Sequence, residues 1–121
     1  MKNFECRIQN INTYYQTEDD GDEIFLKLKK KKIWPEEEKY FKLTGSQPVK
    51  IDYAIPLQKL EGKIEIELWE YDNIISSKHI GTFLLSPTEI GGPFSTDLKL
   101  TSKEFARYTL VWEVVPKVPK I

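Results

Sequence analysis

Residues 62–81, GKIEIELWEYDNIISSKHIG, constrain the fold of this chain more than any other segment. Apolar side chains alternate with polar ones from Ile64 to Leu68, and the apolar phase then shifts to Trp69 and Tyr71. A two-residue period is typical of a strand with one buried face. A short polar loop follows, and a new apolar run opens with an Ile-Gly pair. The segment therefore predicts two strands, over 62–72 and 79–85.

Strand signals of this kind recur along the whole chain with turn residues between them, which is typical of a β-sandwich. The other predicted strands are 3–13, 24–28, 32–34, 40–43, 47–55, 94–100 and 105–115. We expect a hairpin tip at Lys30-Lys31, an irregular connection at Gly91-Gly92-Pro93 and one helical turn within 101–106. Pro56 and Pro116 are expected to end strands, because proline has no N–H for the ladder. The pattern predicts an all-β fold, a single antiparallel β-sandwich of about eight strands.

Length and charge narrow the class of protein. A chain of 121 residues suits one domain, predicted over 1–121 with a frayed tail at 116–121. The net charge of −1 argues against a nucleic-acid partner. No apolar run approaches the roughly 18 residues that cross a bilayer, and the first residues lack the apolar stretch of a signal peptide. Cys6 is the one cysteine, which favours a reducing compartment, so we expect a cytoplasmic protein.

Acidic residues gather in two of the predicted loops. The segment Glu18-Asp19-Asp20-Gly21-Asp22-Glu23 precedes the strand 24–28, and Asp72 follows the strand 62–72. Two features resemble the C2 domain family. One is an acidic loop with an internal glycine before a strand. The other is a Tyr-Asp pair at the end of a strand, followed by a loop and an Ile-Gly pair. The resemblance covers nearly the whole chain in strand order. It implies a C2-like sandwich whose loops, in the calcium-binding members, hold calcium at one end.

Only part of that loop chemistry is present in this sequence. The candidate calcium-loop residues implied by the resemblance are Asp19, Asp20, Asp22 and Asp72. Ile74 and Lys78 stand where the family has two further aspartates. An isoleucine supplies no oxygen ligand, and an ammonium group opposes a divalent cation directly. We therefore expect no cofactor and no confident metal site, with a weak calcium site as the alternative.

A lysine run forms the second candidate site. Some C2 domains hold phosphoinositide head groups with lysines, and the corresponding anionic-lipid patch here would be Lys29, Lys30, Lys31 and Lys32. A hairpin tip would direct these side chains to both faces of the sheet, and Glu36-Glu37-Glu38 follows closely and reduces the positive field. We expect a soluble tip whose lysines guard against edge-to-edge pairing.

No set of catalytic residues emerges from the sequence. His79 is the one histidine and has no neighbouring nucleophile pattern. Cys6 is in phase with the apolar Phe4 and Ile8, and each tryptophan falls on a predicted strand. We therefore predict that four side chains lie in the core: Cys6, Trp34, Trp69 and Trp112. We expect a protein that is not an enzyme.

These observations predict a non-enzymatic C2-like binding module that acts by calcium-independent protein–protein interaction, as an adaptor or assembly subunit. The prediction depends on the resemblance to C2 domains, a family whose degenerate members commonly bind proteins. It depends also on the two replaced ligand positions. The first alternative is a peripheral membrane domain that binds anionic phospholipid with weak calcium dependence. The second is a small inhibitor or immunity-type protein whose acidic loop masks a basic site.

Overall fold

The computed structural model describes residues 3–15, 22–72, 76–101 and 106–117. Within these ranges the chain contains ten β-strands and no helix. The strands are β1 (Phe4–Tyr15), β2 (Asp22–Leu28), β3 (Lys31–Trp34), β4 (Phe41–Leu43), β5 (Val49–Leu57), β6 (Ile64–Glu70), β7 (Lys78–Leu85), β8 (Gly91–Asp97), β9 (Lys99–Leu100) and β10 (Arg107–Pro116). The described part of the chain thus offers no helix that could cross a membrane.

The strands pair antiparallel in two sheets. A four-stranded sheet, here the small sheet, has the order β5-β1-β10-β8. A six-stranded sheet, here the large sheet, has the order β3-β2-β6-β7-β9, with β4 also paired to β2. This arrangement confirms the predicted all-β antiparallel sandwich. Nine of the ten strands correspond to predicted strands, and the remaining one is the two-residue β9, which falls within the single strand predicted over 94–100.

Alternating side chains of both sheets fill the space between them. Large side chains that are fully buried there are Ile8, Ile11, Ile24, Leu26, Leu43, Ile66, Leu68, Ile80, Phe83, Leu85, Tyr108 and Leu110. Cys6 and Trp112 are also buried, as predicted, whereas Ile64 is half-buried and packs at the margin of the core. The two-residue period therefore located most of the core correctly.

Pro56 lies inside a strand that it was predicted to end, whereas Pro116 ends its strand as predicted. Pro56 pairs with Glu5 within β5, which is an edge strand of the small sheet. An edge strand tolerates proline because a missing N–H on its outer side removes no ladder bond. Pro116 completes β10, and the Lys117 N–H then donates to Asn3 O at 2.9 Å. Of the predicted tail 116–121, residues 116 and 117 are therefore held by the sheet, and residues 118–121 lie outside the described part of the chain.

The segment after β7 also differs from the prediction. Gly91-Gly92-Pro93, expected to be an irregular connection, begins β8: Gly91 pairs with Val114, and the expected irregularity is a register shift at Gly92-Pro93 within the strand. Gly92 has φ 123°, and a Cβ there would lie 2.9 Å from Glu113 Cβ, so only glycine fits this position. The single strand predicted over 94–100 is divided, because the chain changes from the small to the large sheet at Leu98. Of the predicted helical turn, residues 102–105 lie outside the described ranges.

The glycine of the Ile-Gly pair has a steric role. A Cβ on Gly81 would lie 2.5 Å from Lys99 O and 2.8 Å from Leu98 Cγ. Gly81 pairs with Leu100, so its missing side chain is what allows β9 to approach β7. This part of the C2-like pattern is thus explained by packing within the large sheet.

Candidate functional site

Asp22, a predicted calcium-loop residue, lies inside the sandwich. It starts β2 in phase with Ile24 and Leu26, and its side chain is fully buried. The Tyr108 hydroxyl, on β10 of the opposite sheet, donates a hydrogen bond to Asp22 Oδ2. Burial, and then this hydrogen bond to the carboxylate, raise the pKa of Tyr108 well above its usual value. The carboxylate therefore joins the two sheets from within.

The other residues at this end of the sandwich are placed differently. Asp72 is exposed just after β6, and its backbone N–H donates to Ser77 Oγ at 3.3 Å. Lys78 stands opposite Glu70 in the β6–β7 ladder. Asp19 and Asp20, together with Ile74, lie outside the described residues. Of the four predicted loop acids, the structure thus describes two, one buried and one exposed.

The described residues do not fit a calcium ion. Calcium in proteins takes six to eight oxygen ligands, several of them carboxylates that converge on one point. Among the residues whose placement is described, no three histidine, cysteine, aspartate or glutamate side chains come together to hold a metal. One oxygen of Asp22 already accepts the hydrogen bond of Tyr108.

The lysine run is divided by the hairpin between β2 and β3. Leu28 pairs with Lys31, so the tip is Lys29-Lys30, one residue earlier than predicted. Both tip residues are exposed and have left-handed backbone angles, φ 51° and φ 68°. Lys32 lies within β3, beyond the tip. Its Nζ donates to Pro35 O and, at 2.6 Å, to Glu38 O. The structure therefore presents three of the four predicted lysines at one exposed tip.

Trp69 was predicted to lie in the core, and that prediction is wrong. Trp34 and Trp112 are buried as predicted, but Trp69 is half-exposed on the outer surface of the large sheet. Its ring stacks against Phe25, with centroids 6.2 Å apart, and against His79, with centroids 5.0 Å apart. The alternation contained the signal, because Trp69 is in phase with the polar Glu65 and Glu67, not with Leu68.

Charged groups complete this cluster, which we call the aromatic face (Phe25, Lys27, Glu67, Trp69 and His79). Lys27 Nζ lies 4.1 Å from the centroid of the Trp69 ring system, a cation–π contact. The Trp69 indole N–H donates to Glu67 Oε1 at 3.1 Å. His79 Nε2 donates to Gly81 O at 2.9 Å, which fixes the imidazole ring. The aromatic face was missed by sequence analysis.

A second aromatic pair lies close in the fold. Tyr40 and Tyr71 stack with centroids 4.9 Å apart, and the Tyr71 N–H donates to Glu23 O at 2.7 Å. A hydrogen bond between Tyr40 and Glu23 raises the pKa of Tyr40. Glu23 and Phe25 both stand on the outer side of β2, so this pair extends the aromatic surface toward β4.

The small sheet carries a shallow cavity on its outer surface. The cavity has a volume of about 530 Å³ and is lined mainly by Arg7, Gln9, Asn10, Lys50, Asp52 and Glu113. It lies beside the bulge between Ile8 and Asn10 in β1. Small-molecule sites are mostly apolar with a few polar groups, so this lining is not typical of one.

The thiol of Cys6 and the imidazole of His79 lie on different sheets. Cys6 is buried in the small sheet, and burial raises the pKa of its thiol to about 11. His79 belongs to the large sheet and uses Nε2 in the hydrogen bond to Gly81 O. The described residues thus do not pair this thiol with this imidazole.

Comparison with known proteins supports the fold. No protein-family model matches the sequence, and no curated protein matches it. Among solved structures, the chain is similar to a C2 domain, the one designated A, of a plant extended synaptotagmin 1, with a TM-score of 0.58 and 12% sequence identity. The match covers 98% of this chain and 97% of that one. At this identity the likeness establishes the fold alone, a C2-like β-sandwich.

Proposed function

We propose that this chain is a non-enzymatic, calcium-independent protein-interaction module of the cytoplasm, acting as an adaptor or assembly subunit. One observation carries the proposal: Asp22, which would have to face a calcium ion, is buried and accepts the hydrogen bond of Tyr108. Lys78, in place of a ligand, adds a positive charge at the same end of the sandwich.

The surface of the large sheet supports a protein partner. Aromatic residues are enriched in protein interfaces and supply much of their binding energy. Trp69, Tyr71 and Tyr40 are each partly exposed on this surface, and Phe25 supports Trp69 from the neighbouring strand. The single, buried cysteine of the sequence agrees with the proposed cytoplasmic location.

The first test measures calcium binding by thermal unfolding. Calcium at about 1 mM should leave the melting temperature unchanged, whereas a ligand at 100 times its Kd would stabilise by about 2.7 kcal/mol. Asp72→Ala serves as the matched variant, because Asp72 is the exposed candidate ligand. A clear rise in melting temperature with calcium that disappears in Asp72→Ala would contradict calcium independence and make Asp19 and Asp20 ligands.

The second test captures partners with the purified chain as bait, once with calcium and once with a chelator. Mass spectrometry should identify the same partner under both conditions. A partner that is retained only with calcium, or the absence of any stoichiometric partner, would contradict the proposal.

A second candidate function, binding to anionic membranes, is favoured by the hairpin tip. Lys29, Lys30 and Lys31 are exposed together, and two of them adopt a backbone conformation that costs energy for lysine. Exposed charges are nevertheless screened within about 8 Å at 0.15 M salt. We therefore expect no measurable co-sedimentation with phosphatidylserine or phosphoinositide vesicles at that salt concentration, with or without calcium.

The vesicle experiment decides between the two functions. The test variant changes Lys29, Lys30 and Lys31 to Ala, and the charge-matched control changes the exposed Lys63, Lys99 and Lys117 to Ala. Robust sedimentation of the unmodified chain that is lost in the test variant and kept in the control would place membrane binding ahead of protein binding.

A further inference from the structure

We infer that the aromatic face binds an arginine-bearing segment of the protein partner, whose guanidinium stacks on Trp69 in place of Lys27. This inference rests on the proposed function and specifies its surface and the chemistry of its partner. Three features of the described residues carry it: an ordered ring, a cation already seated on that ring, and a carboxylate beside it.

The ring of Trp69 is held in one orientation before any partner arrives. Phe25 and His79 stack against it, with centroids 6.2 Å and 5.0 Å away. The indole N–H is fixed by Glu67 Oε1 at 3.1 Å. His79 is in turn fixed by its hydrogen bond to Gly81 O. A preorganised aromatic surface loses little conformational entropy on binding, which favours affinity.

Lys27 identifies the class of group that this ring accepts. Its Nζ lies 4.1 Å from the Trp69 centroid and 5.9 Å from that of Phe25, so a cation already occupies the stacking position. The lysine side chain has a flexible stem and can move into water. A guanidinium is planar, more weakly hydrated and a better stacking partner than an ammonium group, so arginine is suited to replace it.

One carboxylate, that of Glu67, lies beside the same position, and others lie farther along the outer surface. Glu65 and Glu67 alternate with Trp69 on the outer side of β6, and Glu67 stands directly opposite Lys27. Glu23 lies on the outer side of β2, where Lys42 of β4 is its cross-strand partner. Lys32, the other cross-strand neighbour of Lys27, directs its Nζ to Pro35 O and Glu38 O. Glu67 therefore leaves a carboxylate beside the ring once Lys27 moves away, which favours a cationic segment at this position.

Trp69 also provides a fluorescence signal that is specific to the aromatic face. Trp34 and Trp112 are 8% and 5% exposed, so Trp69 is the most accessible of the three tryptophans in the chain. A ligand that stacks on the aromatic face should therefore change the intrinsic fluorescence of Trp69, and the same change should be missing when Trp69 is replaced.

The experiment titrates the full chain with a short peptide of alternating arginine and glycine at 0.15 M salt, followed by calorimetry and tryptophan fluorescence. Saturable binding is expected, weaker by about tenfold in Trp69→Leu and largely restored in Trp69→Phe, which keeps a ring. Lys27→Ala should bind about threefold more tightly, because it vacates the ring. A lysine–glycine peptide of equal length should bind more weakly than the arginine peptide. Thermal unfolding checks that each variant is folded.

Matched acidic variants separate this site from general attraction between charges. Glu67→Gln should weaken peptide binding, whereas Glu89→Gln, an exposed acid in the connection between β7 and β8, should not. Equal effects of these two variants, no saturable binding, or weaker binding by Lys27→Ala would each overturn the inference.

The partner-capture experiment keeps the two proposals distinguishable. If the partner is captured in chelator by Trp69→Leu as well as by the unmodified chain, this inference fails and the proposed function stands. If the unmodified chain captures no partner in chelator but still binds the arginine peptide with the expected variant effects, the proposed function fails and the site stands.

Discussion

The two ends of β2 carry opposite charges, one buried in the sandwich and the other exposed to solvent. At its start, Asp22 is fully buried and accepts a hydrogen bond from Tyr108 of the other sheet. At its end, Lys29 and Lys30 are exposed in a two-residue turn and adopt left-handed backbone angles. The start of β2 thus links the two sheets through a polar contact, whereas its end leads into a turn exposed to solvent.

The difference follows from strand geometry. Successive side chains of a strand point to opposite faces, so Asp22 shares the inner face with Ile24 and Leu26. Tyr108 on β10 provides the donor that a buried carboxylate requires. A turn has no inner face, and the lysines of the tip therefore remain in water. A charged residue thus takes its role from its phase in the strand more than from its neighbours in sequence.

The largest expected effect concerns the core beside the buried end. Leu110 lies two residues after Tyr108 on β10 and is fully buried. Leu110→Ala should lower the free energy of unfolding by about 2–5 kcal/mol, because it removes buried contacts and leaves a cavity. Lys30→Ala, at the exposed end, should change it by less than about 0.5 kcal/mol. Urea unfolding measures both, and an unchanged stability in Leu110→Ala would show that β10 is not a core strand.

The next effect tests the polar contact itself. Tyr108→Phe removes the hydroxyl that donates to Asp22 and should lower the free energy of unfolding by about 1–3 kcal/mol, since a buried carboxylate loses a partner. Thr13→Val is the matched control. Thr13 pairs with Tyr108 across β1 and β10, and its buried hydroxyl has no hydrogen-bond partner among the described residues. Similar losses of stability in both variants would mean that the contact with Asp22 contributes nothing specific.

The pKa shifts predict a loss of stability at alkaline pH. The pKa of Tyr108 is raised in the folded chain, so the unfolded chain ionises first, and this stabilisation is complete only below the unfolded value of about 10. Cys6, with its pKa raised to about 11, contributes a similar loss that begins near its ordinary value of 9. Unfolding free energies should therefore fall as the pH rises from about 9 to about 11.

Two variants separate the contributions of the two ionising groups. Cys6→Val removes the contribution of the thiol, and Tyr108→Phe removes that of the phenol. The fall above about pH 10 should be smaller in Tyr108→Phe than in the unmodified chain. An equally steep fall in that variant would assign the alkaline loss to other groups.

Most of the fold could be predicted from the sequence, because the two-residue period is a local property of each strand. It located the buried positions of β6 and β10 and the sandwich class. The errors arose where the prediction relied on a general rule about a residue type instead of the two-residue period. Pro56 was expected to end a strand, but the edge position that tolerates it depends on distant pairing.

The site was harder to predict for the same reason. Asp22 was interpreted through the family resemblance, although its phase with Ile24 already indicated burial. Trp69 was assigned to the core by residue type, although it is in phase with Glu67. The contacts of Asp22 with Tyr108 and of Trp69 with Phe25 join strands far apart in sequence, whereas the contact of Trp69 with His79 joins the consecutive strands β6 and β7. Only the assembled sheets bring these residues together.

The smallest effect sharpens the comparison at the exposed end. A two-residue turn with positive φ at both positions favours Asn-Gly, and lysine in this conformation costs energy. Changing Lys29 to Asn and Lys30 to Gly should raise the free energy of unfolding by about 0.5–1 kcal/mol. Lys31→Gly, which places glycine within β3, should lower it by a similar amount. If the turn variant were less stable than the unmodified chain, the lysine tip would contribute to folding. The two ends of β2 would then differ in the kind of contact they make rather than in whether they stabilise the sandwich.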